Sequence, residues 1–275
     1  MKKVISLLCF VFITFCAYSQ SSTVIDSIQV RCRYVFTYQQ DSTDIDSKKS
    51  EDMILDIGKH SSVFYSLNLY KADSMWVIIK KEREKHGPEY AMGLTSSLPR
   101  TNFEYRLYKN YPENKLTTTD KLGINQFISE ESSPVFTWKI LPIQKELAGY
   151  SCQKATTSFA GRNYEAWFTT DLAIADGPYK FTGLPGLIIS IADTQNYFSF
   201  ELVELKKQNG VGSLVFIKNK NCQTISQKAY TQALKSNREN PVGTIEAQGI
   251  SFEKTSEFNK MLVEYKKTNN NYIEK

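Results

Sequence analysis

Histidine is almost missing from this sequence, and its scarcity limits the chemistry that the chain can perform. Only His60 and His86 occur among 275 residues. Ser-His-Asp and Cys-His sites need an imidazole within hydrogen-bond reach of a nucleophile, and no nucleophile motif such as G-x-S-x-G is present. We therefore expect both histidines to face solvent. Phosphate-binding loops, EF-hand loops and dinucleotide fingerprints are also missing, so no cofactor is predicted.

An excess of one charge is also lacking, because 34 Lys and Arg residues are offset by 29 Asp and Glu residues. Basic and acidic residues are mixed, as in residues 80–85, and they form no cationic stripe that would predict a nucleic-acid partner. After the amino-terminal run, no apolar stretch approaches the about 20 residues that a membrane helix needs. We therefore predict no transmembrane segment in the mature chain.

The one long apolar run stands at the amino end and has the features of an export signal. Two lysines precede apolar residues 4–17, a run too short to span a bilayer. Ala17 and Ser19 provide the small side chains that a signal peptidase reads. We predict that residues 1–19 are a signal peptide, cleaved before Gln20, and that the protein is exported to the periplasm or secreted.

Cysteines are few and show no metal-binding spacing. Cys16 lies in the predicted signal peptide, but Phe15 stands where a lipoprotein signal needs a small residue, so we expect no lipid anchor. Cys32, Cys152 and Cys222 are the disulfide candidates in an oxidising compartment. Three cysteines allow three single pairings, and the sequence does not select one of them. Without C-x-x-C spacing, no structural zinc site is predicted.

Alternation of apolar and polar residues is the main structural signal. In residues 27–39 the apolar side chains fall on one side and most polar ones on the other, which predicts a half-buried strand. Further strands are predicted at residues 53–57, 62–69, 103–107, 115–119, 127–130 and 135–140. Three hairpins are predicted: residues 103–107 with 115–119, residues 152–159 with 164–169, and residues 187–192 with 197–205.

Helical periodicity is confined to residues 71–85, 226–238 and 251–267. The polar tail at residues 268–271 is expected to be frayed. Because strands do not alternate regularly with helices, a parallel doubly wound sheet is excluded. The predicted fold is α+β and mainly antiparallel β. It has one large curved or partly closed sheet and a few helices, two of them near the C-terminus.

Aromatic residues make up 13% of the chain, and many of them fall on predicted strands, including Tyr164 and Trp167. Side chains on the concave side of a curved sheet have two possible uses. They form the hydrophobic core, as every sheet must bury one face. Alternatively, they line an apolar cavity for a lipid, a peptide or a glycan. The sequence leaves both interpretations open.

One short motif is distinctive: residues 183–188 read Gly-Leu-Pro-Gly-Leu-Ile. The stretches that accompany it are residues 62–66, 149–155, 164–169 and the Asn-rich end at 269–273. Together they resemble the GLPGLI family, exported proteins of Gram-negative bacteria with no established activity. Tyr272 departs from the family pattern, which usually has a proline there. The resemblance spans most of the mature chain and implies a single GLPGLI-type domain over residues 20–275.

The motif combines residues with special backbone properties. Gly183 and Gly186 can adopt positive φ or allow close backbone approach, whereas Pro185 fixes φ and removes a hydrogen-bond donor. Such a loop either exposes its amides to a ligand or partner, or forms a tight corner packed against a neighbouring strand. For the first interpretation, the candidate binding residues are Gly183, Pro185 and Gly186, together with Tyr164 and Trp167.

The predicted function is that of a non-catalytic exported envelope protein. It would bind an apolar or extended ligand, or a partner protein of the cell envelope, through the concave aromatic face and the 183–186 loop. One alternative is a carboxylate-dependent hydrolase that uses Glu165, Asp171 and Asp176, which flank the motifs. Another is a structural accessory protein without a small-molecule site. An open apolar cavity would favour the binding protein, and converging carboxylates would favour the hydrolase. A filled interior would favour the structural accessory protein.

Overall fold

A computed structural model describes residues 20–219, 222–251 and 255–274 of the chain. The predicted signal peptide at residues 1–19 lies outside these ranges. The strands are β1 (Gln20–Ser27), β2 (Val30–Gln39), β3 (Lys48–Ile57), β4 (Ser62–Ser66), β5 (Arg106–Lys109), β6 (Lys115–Leu122), β7 (Asn125–Ser132), β8 (Lys139–Leu147), β9 (Tyr150–Phe159), β10 (Arg162–Thr169), β11 (Leu187–Asp193), β12 (Phe198–Lys207), β13 (Ser213–Asn219) and β14 (Gln223–Ser226).

The α-helices are α1 (Leu67–His86), α2 (Pro88–Thr95), α3 (Gln227–Glu239), α4 (Pro241–Glu246) and α5 (Ser256–Thr268). The three helices predicted from periodicity are confirmed as α1, α3 and α5. Each begins after a hydroxyl side chain that accepts hydrogen bonds from the first turn: Ser66, Ser226 and Thr255. No helix in the described part of the chain has the length and hydropathy of a membrane span.

Twelve of the strands form one sheet in the order β14-β7-β6-β5-β4-β3-β2-β12-β11-β10-β9-β8. All neighbouring pairs are antiparallel except β14 with β7, which is parallel. The sheet ends at β14 and β8 and is not closed into a barrel. β1 and β13 form a separate two-stranded ribbon. This architecture confirms the predicted α+β class with a large, mainly antiparallel sheet and two helices near the C-terminus.

The inner face of the sheet is covered by the segment at residues 170–186, here called the plug. Its side chains Tyr179, Phe181 and Leu184 are buried in the main hydrophobic core. The ring of Phe181 lies 4.8 Å from that of Tyr164 on β10. Lys109 Nζ donates to Asp176 Oδ1 at 2.5 Å, which ties the plug to β5. The inner face is therefore filled by the protein itself.

The β1–β13 ribbon covers part of the opposite, outer face of the sheet. A second, smaller hydrophobic cluster lies there, and it contains Ile28, Ile54, Val63, Tyr65, Tyr108 and Leu214. β3 and β4 are consequently buried on both faces, because successive side chains of a strand point to opposite sides. This arrangement explains why residues 53, 54, 55 and 57 are all apolar and do not alternate with polar residues.

The tail that follows α5 is docked on the body, so the prediction that it is frayed is wrong. Asn271 Nδ2 donates to Gln39 O at 2.9 Å, and Arg162 Nη2 donates to Tyr272 O at 2.8 Å. The Arg162 side chain is buried and pairs with Asp193 at 3.2 Å. Because a buried guanidinium needs several acceptors, the tail carbonyls complete its hydrogen bonding.

Candidate functional site

A cleft of about 590 Å³ lies on the outer face of the sheet. Its floor comes from β2 to β5, and its walls are the first turns of α1 and the β1–β13 ribbon. The volume is in the range of small-molecule sites. Polar and charged side chains converge in it: Arg31, Asp56, Tyr65, Tyr70, Asp73 and Arg106. Apolar side chains of the outer cluster, including Val63 and Leu214, complete its lining.

Strand register places three of these side chains together. Arg31 on β2 lies opposite Asp56 on β3. The guanidinium donates from Nε to Asp56 Oδ1 at 2.6 Å and from Nη2 to Oδ2 at 2.7 Å. Tyr65 on β4 donates its hydroxyl hydrogen to Asp56 Oδ2 at 2.5 Å. The bidentate geometry fixes the plane of the guanidinium as well as its position.

The side chains of this cluster differ in how much of their surface is exposed. The Asp56 side chain is 3% exposed, whereas that of Arg31 is 29% exposed. The hydrogen-bonded carboxylate of Asp56 raises the pKa of Arg31, and burial raises the pKa of Tyr65 well above its usual value. The Arg31 guanidinium and the Tyr65 phenol therefore keep their protons throughout the neutral pH range. The guanidinium of Arg31 also lies 5.4 Å from the centre of the Tyr70 ring on α1.

A second ion pair closes the cleft toward α1. Arg106 on β5 stands opposite Tyr65 in the register and pairs with Asp73 of α1. Burial raises the pKa of Asp73, and the positive charge of Arg106 opposes that shift. Because both arginines are paired with carboxylates, the cleft has little net charge. Fixed donors and acceptors beside tyrosine rings favour a neutral, hydroxyl-rich ligand over a strongly charged one.

The motif at residues 183–188 forms a corner between the plug and β11. Gly183 has φ +91° and is exposed, as is Pro185, whereas Gly186 is buried. A Cβ atom on Gly186 would lie 1.9 Å from the carbonyl oxygen of Thr169, so only glycine fits against the end of β10. This close approach supports the tight-corner interpretation for Gly186. Gly183 and Pro185 stay candidate binding residues.

The two predicted aromatic binding residues lie on opposite faces of β10. Tyr164 is 1% exposed and belongs to the main core, together with Ala166 and Phe168. Trp167 points to the outer face and is only partly buried. The concave aromatic surface that the sequence offered as a ligand cavity is thus filled, as the core interpretation requires. Tyr164 has no access to a ligand from that side.

The three acidic residues proposed for a hydrolase do not converge. Glu165 lies on β10 and pairs with Lys154 at 2.9 Å, whereas Asp176 is nearly buried and pairs with Lys109. Asp171 is exposed after the end of β10. Within the described ranges, no three His, Cys, Asp or Glu side chains gather as metal ligands.

All three candidate cysteines have free thiols in the structure. Cys32 and Cys152 are buried, and Cys222 is partly buried. Burial raises the pKa of each thiol, so none of them is an activated nucleophile.

Sequence reasoning missed the cleft, although two signals pointed to it. Arg31 falls on the polar side of the alternating strand β2, which places it on the outer face. Asp56 interrupts an otherwise apolar strand, where aspartate is disfavoured. The partnership of Arg31 with Asp56 depends on the register between β2 and β3, which neither segment encodes alone.

Comparison with known proteins gives one family and one fold. A family model described as "N-glycanase peptide, N-terminal domain" matches residues 95–232, half of the chain. Among solved structures, "Structure of PNGF-II in P21 space group" matches with 13% identity and a TM-score of 0.50, and "Structure of PNGF-II in C2 space group" with 15% identity and a TM-score of 0.50. Each match covers 77% of this chain.

The chain spans about a third of the length of these two structures, 34% in each case. At such low identity the likeness shows the fold alone. No curated protein matches the chain. The matched residues 95–232 include the Gly-Leu-Pro-Gly-Leu-Ile motif, and the resemblance to the GLPGLI family stays a prediction.

Proposed function

We propose, from the premise that the chain belongs to the family of N-glycanase peptide N-terminal domains, that it is an exported protein that binds carbohydrate in the outer cleft. The family name describes a protein that acts on N-linked glycans, and a glycan is a neutral, hydroxyl-rich ligand of the kind the cleft favours. The amino-terminal signal pattern supports export. This proposal keeps the predicted extended ligand and moves its site from the inner face to the outer one.

The observation that carries the proposal is the fixed polar cluster of Arg31, Asp56 and Tyr65. Asp56 accepts hydrogen bonds from both partners, and the partly exposed Arg31 side chain lines the cleft. The guanidinium N–H groups that these bonds do not use can donate to sugar hydroxyls. Tyr70, which is 43% exposed on α1, offers a ring on which a pyranose can pack.

Binding without catalysis is the form of the proposal that the geometry supports best. Asp56 is held by Arg31 and Tyr65 and is almost inaccessible, so it cannot attack a substrate or activate a water molecule. Hydrolysis of a glycosidic bond requires two accessible carboxyl groups on either side of that bond. The plug carboxylate Asp176 is likewise held, by Lys109.

A hydrolytic alternative is favoured by one observation. Asp56 and Asp73 both line the cleft, and burial raises the pKa of Asp73. A carboxyl group whose pKa is raised by burial is typical of a general acid, and Asp56 is a second carboxyl group in the same cleft. Release of glycan from a glycoprotein by the purified protein, lost in Asp73→Asn, would establish this alternative. Absence of turnover supports binding alone.

The binding proposal is tested by titrating purified protein with a defined mannose-rich N-glycan and measuring heat or NMR shifts. Tyr70→Ala should weaken binding at least tenfold, because it removes the ring beside Arg31. Trp76→Ala is the matched control, since Trp76 is an exposed aromatic of the same helix outside the cleft. Equal effects of the two substitutions would contradict the proposal, and so would failure of the wild-type protein to bind.

Removal of the charges needs a paired substitution. Arg31→Gln alone would leave the buried Asp56 carboxylate without its cation and would strongly destabilise the protein. The double variant Arg31→Met with Asp56→Leu removes both charges and keeps the volume filled. We expect it to fold and to lose glycan binding. A folded double variant that binds like wild type would show that the polar cluster is structural only.

A further inference from the structure

A second surface on the outer face of the sheet has the chemistry of a binding site. It lies on β8, β9 and β10, away from the cleft on β2 to β5. Trp167 is its centre. Its neighbours Ala166 and Phe168 are buried in the core, whereas the indole points outward and is partly exposed. The indole packs in part against the edge of the main core, and its remaining surface is accessible from the outer side of the sheet.

Two lysines gather around the indole. Lys145 Nζ on β8 lies 4.0 Å from the centre of the Trp167 ring, and Lys154 Nζ on β9 lies 5.9 Å from it. Lys154 is paired with Glu165 at 2.9 Å. Lys145 is exposed and has no carboxylate within ion-pair distance in the described part of the chain. Glu165 offsets Lys154, so Lys145 is the cation beside the indole that no ion pair among the described residues neutralises.

Two hydrogen-bonding side chains lie in line with the indole on the next strands of the sheet. Across the strands, Trp167 is aligned with Ser190 on β11, which is aligned with Glu201 on β12. Strands are about 4.8 Å apart, so this row extends the surface by about 10 Å from the indole. β2, which carries Arg31 of the cleft, is the next strand after β12.

We propose that Trp167, Lys145 and Lys154 form a binding site for an acidic saccharide, a sugar that carries a carboxylate. The C–H face of the pyranose would pack on the indole, while Lys145 leaves the ring and pairs with the sugar carboxylate. Exposed lysines move at low cost, and a cation–π contact at an exposed site is weak. The Ser190 hydroxyl can donate or accept a hydrogen bond with a sugar hydroxyl, and the Glu201 carboxylate can accept one. This site goes beyond the cleft and does not depend on it.

The test uses a tetramer of galacturonic acid as probe and the corresponding neutral galactose tetramer as comparison. Three indole N–H signals are expected from Trp76, Trp138 and Trp167 in a protein labelled at tryptophan. We expect the acidic tetramer to shift the Trp167 signal alone. Trp138 is an internal reference, because its Nε1 donates to Thr182 O at 2.8 Å. No shift of the Trp167 signal at millimolar probe would overturn the proposal.

Variants separate stacking from charge recognition. Trp167→Ala should abolish binding of the acidic tetramer, and Lys145→Gln should weaken it about tenfold, the effect of losing one charged hydrogen bond. Lys235→Gln, which removes an exposed lysine of α3, should leave affinity unchanged. Equal affinity of wild type and Lys145→Gln, or equal affinity for the neutral tetramer, would refute recognition of a carboxylate.

Two further measurements separate this site from the cleft and a saccharide ligand from a lipid. The double variant Arg31→Met with Asp56→Leu should bind the acidic tetramer like wild type, so failure of the cleft proposal leaves this one standing. Vesicles that contain an anionic phospholipid provide the alternative source of negative charge. Binding to vesicles without binding to the acidic tetramer would overturn the proposal in favour of a membrane surface.

Discussion

The two faces of the long sheet are covered in different ways. The inner face packs against the plug at residues 170–186, and Tyr164, Phe181 and Phe200 are buried there. The outer face is covered only in part, by the β1–β13 ribbon and α1, and a polar cleft remains between them. This contrast shows that the abundance of aromatic residues marks the core of this protein. Its accessible chemistry lies where polar residues interrupt the outer face.

The largest expected loss of stability comes from a substitution on the inner face. Phe181→Ala removes a fully buried ring that contacts Phe136, Phe159 and Tyr164. We expect the free energy of unfolding to fall by about 3–5 kcal/mol in urea denaturation. Val135→Ala, at a position that is 95% exposed, is the control and should change it by less than about 0.5 kcal/mol. Similar losses in both variants would refute a filled inner face.

Asp120, a buried polar residue on the inner face, predicts that the free energy of unfolding depends on pH. Asp120 shares its face of β6 with Leu116, accepts a hydrogen bond from Tyr230 at 2.7 Å, and is buried. Burial raises the pKa of Asp120 to about 6 from its ordinary 3.8. Asp120 therefore loses its proton at a higher pH in the folded state than in the unfolded state. Its contribution to the free energy of unfolding decreases as the pH rises from about 4 to 6.

Asp120→Asn removes that titration. Between pH 4 and pH 7, the free energy of unfolding of wild type should fall relative to that of the variant by up to about 3 kcal/mol. Urea denaturation at both pH values measures the difference. A constant gap between the two proteins over this range would show that Asp120 does not titrate as its burial requires.

The glycine–proline corner connects the plug to the sheet and predicts a loss of intermediate size. Gly186→Ala should lower the free energy of unfolding by about 2 kcal/mol, because the new Cβ atom collides with the Thr169 carbonyl. Gly93→Ala is the matched control, since nothing lies within 4 Å of a Cβ atom there and Gly93 is in α2. We expect this control to be neutral or stabilising. If Gly186→Ala left the free energy of unfolding unchanged, the tight-corner interpretation of Gly186 would be refuted.

The smallest effect on stability is expected at the outer face. Tyr70→Ala removes a ring that is 43% exposed, so the free energy of unfolding should change by about 1 kcal/mol or less. Urea denaturation of this variant beside Phe181→Ala measures the contrast between the two faces directly. A loss as large as that of Phe181→Ala would mean that Tyr70 belongs to the packed body and not to an accessible cleft.

Local patterns were sufficient to predict most of the sheet. The alternation in residues 27–39 correctly placed Cys32, Tyr34, Phe36 and Tyr38 on the buried side of β2. The three predicted hairpins are present, as β5–β6, β9–β10 and β11–β12. The predicted strand at residues 62–69 is shorter, because Ser66 ends β4 and caps α1 with its hydroxyl group. Such a choice between strand and helix depends on a single side chain.

The contacts between distant segments could not be predicted in the same way. β14 pairs in parallel with β7, and β1 pairs with β13, across separations that no local pattern encodes. The burial of Arg162 recruits Tyr272 from the tail, and Arg31 meets Asp56 only through strand register. The outward orientation of Trp167, by contrast, follows from the alternation along β10, and its role as a binding residue stays a prediction.

Hydrogen–deuterium exchange of the purified protein, with and without a mannose-rich N-glycan, is the sharpest test of ligand binding in the outer cleft. We predict slower exchange of backbone amides in the first turns of α1, near Tyr70, and in the ribbon near Leu214, with no change at residues 181–187. Slower exchange confined to residues 181–187 or to the plug would contradict this prediction. That result would place ligand binding on the inner side of the sheet and leave the outer cleft without a role.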